Sequence, residues 1–149
     1  MGIIDKSQVC QIALVVKDIE KTAKNYAEIF GVDMPDIWQI APQEESHTQY
    51  KGTPTPTRSK LCVFDLGQVV LELTEPDDEP SSWKQFLEEK GEGVHHIGFT
   101  VKDRGEALKA LASRNIPVRH YGEYPGGNYT FVDSEKQLGV LLNLKYEPK

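Results

Sequence analysis

Four polar residues stand in apolar, strand-like runs at two pairs of related positions. Gln11 and His96 are 85 residues apart, and Glu72 and Asn143 are 71 residues apart. Burying one polar group without a partner costs about 1–3 kcal/mol, and a carboxylate costs more, so a shared partner is expected. A divalent metal ion would serve, because imidazole nitrogen and carboxylate and amide oxygens are all metal ligands. These residue types predict a metal site.

Each residue also has an ordinary structural explanation. Gln11 and Asn143 would be polar strand residues, and Glu72 would pair with Lys60 or Arg58. The consecutive histidines would place one ring at the surface and the other, hydrogen-bonded, in the core. The metal site is favoured over these explanations because all four residues occupy repeat-related positions.

The pairing of positions comes from an internal repeat. The segment QIALVVKD, which starts at Gln11, matches HIGFTVKD, which starts at His96, without a gap. Each copy has the pattern of a buried strand, and its closing aspartate is placed to cap the next helix. The repeat therefore predicts two copies of one strand–helix module.

Periodicity extends this module in both halves. Apolar spacing predicts amphipathic helices over Ile19–Phe30 and around residues 107–112, both on one face of a sheet. Strand-like runs follow at residues 37–40, 60–66 and 69–74, and again at 118–121, 129–132 and 140–146. Each half is thus predicted to be βαβββ in an α+β fold. We expect one domain over residues 1–149, with modules at about 8–76 and 93–147.

Two segments lie outside the repeat. Residues 42–59 are polar and contain Thr-Pro-Thr-Pro, which favours a loop or lid over a central strand. Between the halves, Ser82–Lys90 is predicted to be a short helix that begins at Ser81 or Ser82 and ends before Gly91.

Composition limits the possible partners and location. The formal net charge is -6 and the pI is about 5.2, which argues against nucleic acid as a partner. No apolar run approaches the ~20 residues of a membrane span, and no signal-peptide pattern is found. Cys10 and Cys62 stand in apolar runs, which favours buried thiols over a disulfide or a zinc site. We therefore expect a cytoplasmic protein.

Four motifs resemble those of the vicinal oxygen chelate superfamily, the group of glyoxalase I and methylmalonyl-CoA epimerase. They are QIALVV from Gln11, VLELTEP from Val70, GEGVHHIGFTV from Gly91 and GVLLNL from Gly139. The resemblance covers nearly the whole chain and is weakest over residues 33–59. It implies that both modules curve into a cup with the helices outside. It also implies a divalent ion (Zn, Ni, Co, Mn or Mg) held by Gln11, Glu72, His96 and Asn143.

The resemblance implies a metal-dependent isomerase, epimerase or lyase that moves a proton beside the metal-bound carbonyl of a small substrate. It also implies a homodimer. Asn143 departs from the family, in which a metal-bound glutamate usually stands there as a base, and an amide accepts no proton at neutral pH. The candidate bases here are Glu72 and, from the long loop, His47, Glu44 or Glu45.

The cup would be lined by residues near the Gly126-Gly127 turn. Tyr121 and Tyr129 are candidates for stacking on a substrate, and Arg119 and His120 for binding an anionic group. Strand alternation would turn some of these side chains outward. A metal-free binding protein of the bleomycin-resistance type is the alternative function. An extradiol dioxygenase is disfavoured, because it needs two histidines and a glutamate where this chain has one histidine.

Overall fold

The computed structural model describes residues 2–5 and 8–148, so both ends of the predicted domain, Met1 and Lys149, lie outside it. The helices are α1 (Ile19–Phe30), α2 (Gln43–Ser46), α3 (Ser82–Lys90), α4 (Arg104–Ala112) and α5 (Glu135–Leu138). The strands are β1 (Val9–Val15), β2 (Ile37–Gln39), β3 (Gln49–Tyr50), β4 (Thr53–Pro54), β5 (Lys60–Asp65), β6 (Val70–Glu75), β7 (Gly93–Thr100), β8 (Val118–Tyr124), β9 (Gly127–Val132) and β10 (Leu141–Tyr146). Among the described residues, none of the helices has the length and apolar composition that a membrane span requires.

The strands form one curled mixed sheet in the order β2-β5-β6-β1-β7-β10-β9-β8-β3-β4. At its centre β1 and β7, the first strands of the two halves, pair in antiparallel fashion. Each of these central strands also pairs in parallel with the closing strand of its own half, β1 with β6 and β7 with β10. The predicted α+β fold and cupped sheet are confirmed.

The aspartates that close the repeated strands cap the following helices, as predicted. Asp18 Oδ1 accepts a hydrogen bond from the backbone N–H of Lys21 at 3.1 Å, and Asp103 Oδ1 accepts one from Glu106 at 3.0 Å. Both caps satisfy a backbone donor that the first helical turn leaves free. The chain is thereby directed from each strand into its helix at the same point of both halves.

The repeat helices cover one face of the sheet. Ile19, Ala23 and Ala27 of α1 pack on Leu71 and Leu73 of β6. In the second half, α4 packs in the same way on β9 and β10. The opposite, concave face is covered by α3, whose Trp83 and Phe86 pack against Val15 and Phe131. The concave face is where the polar strand residues point.

Residues 42–59, which we call the crossing segment, are more regular than the predicted loop. They contain α2 and the short strands β3 and β4, and β3 pairs with β8 of the other half. Thr55 Oγ1 donates to the carbonyl oxygen of Pro80 at 2.6 Å, and Thr57 Oγ1 donates to Asp77 at 2.7 Å. Short-range sequence patterns miss this order because it comes from contacts with distant parts of the chain.

Both cysteines are free thiols, as the sequence suggests. Cys62 is fully buried, whereas Cys10 is half-buried. Burial raises the pKa of both thiols, so they stay protonated at neutral pH.

Gly98 leaves the space that Gln11 occupies on the concave face. The two residues are paired across β1 and β7, and a Cβ atom at Gly98 would lie 2.8 Å from both Cβ and Oε1 of Gln11. A larger residue would therefore displace the Gln11 amide.

We predict that Gly98→Ala lowers the free energy of unfolding by about 1–3 kcal/mol, the usual cost of overpacking a well-packed site. The matched control is Gly105→Ala in α4, where the new Cβ would have only ordinary contact, 3.5 Å from Asp103. This control should gain roughly 0.5–1 kcal/mol, since alanine favours the helix. Urea denaturation measures both changes, and an equal response of the two variants would contradict the prediction.

Candidate functional site

The four polar strand residues converge on the concave face within one chain. His96 Nε2 lies 2.8 Å from Gln11 Oε1, and Asn143 Nδ2 donates to the same oxygen at 3.0 Å. Glu72 Oε2 lies 3.9 Å from His96 Nε2. The structure thus brings together all four predicted ligands, which we call the polar cluster.

Strand alternation and the central pairing produce the polar cluster. Glu72 is flanked by leucines that pack under α1, so its own side chain points to the concave face. Asn143 is flanked in the same way by Leu142 and Leu144, which pack under α4. Because β1 and β7 are neighbouring strands, the side chain of Gln11 on β1 lies beside that of His96 on β7.

A β-bulge in β7 places two consecutive histidines on the same face. Ala13 pairs with His96 but Leu14 pairs with Val94, so His95 is the extra residue of the bulge. The side chains of His95 and His96 are both buried, at 1% and 0% exposure. The alternative in which one ring lies at the surface is therefore wrong, because it assumed regular alternation.

Glu72 lies in surroundings that disfavour its charge. Burial raises its pKa to about 7, and the charge of Lys145 opposes this only in part. The alternative partners suggested by sequence are engaged elsewhere: Lys60 pairs with Glu75 at 3.5 Å, and Arg58 Nε donates to a backbone carbonyl. The Glu72 side chain keeps 14% exposure, so it is not fully sealed from solvent.

Three buried histidines are held neutral. Burial lowers the pKa of His95 and of His120 to about 3. Burial and the neighbouring rings hold the pKa of His96 well below its usual value. A neutral imidazole has one ring nitrogen without a hydrogen, and this nitrogen can bind a metal ion.

The polar cluster fits a divalent cation by its chemistry. Asn143 Oδ1 is buried and has no hydrogen-bond partner, and such an atom is costly unless something else binds it. The described residues include no group of three or more His, Cys, Asp or Glu side chains arranged to hold a metal. A cation here would therefore depend on the amide oxygens of Gln11 and Asn143 in addition to His96 and Glu72.

His47 lies apart from the polar cluster. It ends α2 in the crossing segment, its side chain is 56% exposed, and its Nδ1 atom lies 3.0 Å from Glu123 Oε1. This partner, Glu123, lies on β8, three strands away from β7 in the sheet. The structure therefore does not bring this candidate base to the four predicted ligands.

The predicted substrate-binding residues differ in their positions. Tyr129 lies on the concave face, where it contacts the rings of Trp83 and Phe131 and where Glu72 helps to raise its pKa. The Tyr121 hydroxyl donates to Glu123 at 2.8 Å, toward the crossing segment.

Arg119 is already paired. Its guanidinium lies 2.7 Å from Asp133 and 3.3 Å from Glu135, and its side chain is only 12% exposed. Two carboxylates thus satisfy the charge that was expected to bind an anion.

Sequence reasoning suggested an anion-binding role for His120 and a helix-capping role for Ser82, but it connected neither residue, nor Gly98, with the polar cluster. His120 is buried and lies against Trp83 with ring centroids 4.5 Å apart. Ser82 hydrogen-bonds His95, and Gly98 makes room for Gln11. Only the two consecutive histidines could have indicated this arrangement, and regular strand alternation predicted that their rings point to opposite faces.

The chain matches a known family over most of its length. The model of the Glyoxalase/Bleomycin resistance protein/Dioxygenase superfamily matches residues 10–132. The Bacillus subtilis protein YqjC is 33% identical over 103 residues, which are 67% of this chain and 73% of that protein. Human mitochondrial methylmalonyl-CoA epimerase is 28% identical over 107 residues, which cover 70% of this chain and 52% of the human protein.

Solved structures show the same fold. The methylmalonyl-CoA epimerase of Streptomyces coelicolor, in complex with 2-nitronate-propionyl-CoA, superposes with a TM-score of 0.63 at 22% identity. The superposition covers 96% of this chain and 99% of that chain. With the family match and the cupped sheet, this chain belongs to the glyoxalase, bleomycin resistance and dioxygenase superfamily, which is the vicinal oxygen chelate superfamily.

Proposed function

We propose that this protein is a metal-dependent isomerase or epimerase that moves a proton beside the carbonyl group of a small substrate. The observation that carries the proposal is the convergence of four potential ligands, one of which, Asn143, has a buried Oδ1 atom without a hydrogen-bond partner. The proposed ligands are Gln11, Glu72, His96 and Asn143. Support also comes from the relatives that are named methylmalonyl-CoA epimerase.

The bound cation would supply a Lewis acid that stabilises negative charge on the substrate oxygen. Glu72 is the proton acceptor in this proposal, because Asn143 is an amide and cannot accept a proton at neutral pH. A carboxylate has two oxygens, so Glu72 can hold the cation with one and take the substrate proton with the other.

Tyr129 orients the substrate in this proposal. Burial and the nearby charge of Glu72 raise its pKa, so its hydroxyl stays protonated and able to donate a hydrogen bond. Thr48 of the crossing segment hydrogen-bonds this hydroxyl, and His120 Nε2 lies 3.4 Å from it. Around it, Trp83 and Phe131 exclude water from this side of the cup.

One observation favours a second function, a metal-free ligand-binding protein. His96 Nε2 and Asn143 Nδ2 both hydrogen-bond Gln11 Oε1, so part of the polar cluster is satisfied without a cation. Metal content decides between the two functions.

We predict that the purified protein takes up about one divalent ion per chain and that His96→Ala abolishes this uptake, because it removes the only imidazole of the proposed ligand set. Elemental analysis after chelation and reloading with Zn²⁺, Ni²⁺, Co²⁺, Mn²⁺ or Mg²⁺ gives the stoichiometry. His47→Ala, the loss of an exposed histidine outside the polar cluster, is the control and should keep the metal. A chelator-treated wild-type protein that binds none of these ions at micromolar concentration would favour the metal-free function.

We predict that the metal-loaded protein exchanges the proton beside the carbonyl of methylmalonyl-CoA for deuterium in D₂O, observed by NMR. Glu72→Gln should slow exchange by about 10²–10⁴-fold, the usual contribution of a general base. Glu75→Gln is the matched control on the same strand, where the carboxylate faces Lys60 instead of the cup.

His47→Ala tests the other candidate base in the same assay. It should exchange at the wild-type rate, because His47 pairs with Glu123 outside the polar cluster. Loss of exchange in this variant, with Glu72→Gln still active, would transfer the role of base to His47.

A further inference from the structure

Lys145 of β10 places a positive charge on the concave face of the sheet. It stands two residues after Asn143 and therefore points to the same face. In the antiparallel pairing of β9 with β10, Lys145 is also directly opposite Tyr129, whose ring packs in the cup. Alternation along β10 and pairing with β9 thus agree that Lys145 faces the cup. No step of the proposed reaction uses this cation.

The accessible part of this face begins at the row of residues that contains Lys145. In the preceding row, Gly98, Asn143 and Phe131 are paired across β7, β10 and β9, and all three are buried. One row further on, Lys145 and Tyr129 are both partly exposed, and the Lys145 side chain is 23% exposed. A substrate that enters the cup from this side therefore meets Lys145 before it reaches the polar cluster.

The ammonium group of Lys145 has loose contacts with its own chain. Its Nζ atom lies 5.4 Å from the centroid of the Tyr124 ring, which is a cation–π distance. The same atom lies 3.9 Å from Glu147 Oε1, too far for a hydrogen bond, and Glu147 is 54% exposed. Such exposed ion pairs are weak. Arg119, by contrast, lies 2.7 and 3.3 Å from two carboxylates, so Lys145 is the better candidate to bind an anion.

Glu147 places a carboxylate oxygen between Lys145 and Tyr124. Its Oε1 atom accepts a hydrogen bond from the Tyr124 hydroxyl at 2.8 Å and is the atom that faces Lys145. Gly127 makes room for this contact, because a Cβ atom there would lie 2.9 Å from Glu147 Cγ. Two donors thus converge on one carboxylate oxygen, and the carboxylate of a substrate could take its place.

Resting on the proposed function, we infer that Lys145 determines substrate specificity by binding a carboxylate group of the substrate, which displaces Glu147. The ammonium group suits this role, because it is a compact charge with three donors. Asn143 and Lys145 are about 7 Å apart along β10, so the carbonyl and carboxylate groups of the substrate must be close together. The substrate class is therefore a carbonyl compound with a carboxylate on the neighbouring carbon, as in a malonyl-type thioester.

The test compares two thioesters that differ in one group. Methylmalonyl-CoA carries a carboxylate where isobutyryl-CoA carries a methyl group, so the ratio of their dissociation constants isolates the contribution of the carboxylate. Isothermal titration calorimetry measures both constants on the full chain. Lys145→Met removes the charge and keeps an unbranched side chain. Lys60→Met is the matched control, because Lys60 also stands on a strand and pairs with a glutamate at 3.5 Å, but away from the cup.

We expect the wild-type protein to bind methylmalonyl-CoA about 10–100-fold more tightly than isobutyryl-CoA, the usual effect of a hydrogen bond between charged groups. Lys145→Met should remove this preference and leave the affinity for isobutyryl-CoA unchanged, whereas Lys60→Met should keep the preference. Glu147→Gln should increase the preference by about 2–5-fold, because it removes the competing exposed ion pair.

The inference is overturned if the wild-type protein binds neither thioester or binds both equally, or if Glu147→Gln lowers the preference. It is also overturned if Lys145→Met weakens the binding of both thioesters to the same extent, which would assign Lys145 to the phosphate groups of coenzyme A. The wild-type comparison needs no variant, so it decides even if Lys145→Met does not fold. A wild-type protein that shows the preference but binds no metal and exchanges no proton would refute the proposed function and leave the role of Lys145 intact.

Discussion

The antiparallel pairing of β1 with β7 is the constraint on which the rest of the molecule depends. Each half of the chain contributes only two of the four polar strand residues, one on its first strand and one on its last. Because the first strands pair with each other and each last strand pairs beside its own first strand, the four side chains meet at the centre of one sheet. Neither half could hold the polar cluster without the other.

The two halves have the same residues at positions that shape the scaffold and different residues at positions that face the cup. Asp18 and Asp103 cap their helices with nearly the same geometry. By contrast, Gln11 and His96 differ although they occupy equivalent positions of the repeat. The closing strands also differ, with the carboxylate of Glu72 in one half and the amide of Asn143 in the other. The pseudo-symmetry of the two halves therefore gives the cup its shape. The residues that differ between the halves give its two sides different chemistry.

Much of the scaffold could be predicted from the sequence. Helices Ile19–Phe30 and Ser82–Lys90 were predicted with the bounds that the structure has, because caps and apolar periodicity are local signals. The convergence of Gln11, Glu72, His96 and Asn143 was predictable as well, since the repeat relates their positions. These signals need no knowledge of distant contacts.

The remaining features depend on contacts between distant residues. The bulge at His95 is set by how β7 fits against β1, and it reverses the face that alternation assigns. The order of the crossing segment comes from pairing with β8 and from hydrogen bonds of its hydroxyl groups to residues after β6. The engagement of Arg119 by Asp133 and Glu135 is equally non-local.

The position of the crossing segment at the edge of the sheet has a consequence for self-association. An exposed sheet edge is a template on which strands of other molecules can add, and proteins protect such edges with short strands and prolines. The edge formed by β4 is two residues long and ends in Pro54, which has no N–H to donate. At the opposite edge β2 has only three residues. The sheet that the described residues form is thereby protected at both edges against the addition of strands from other molecules.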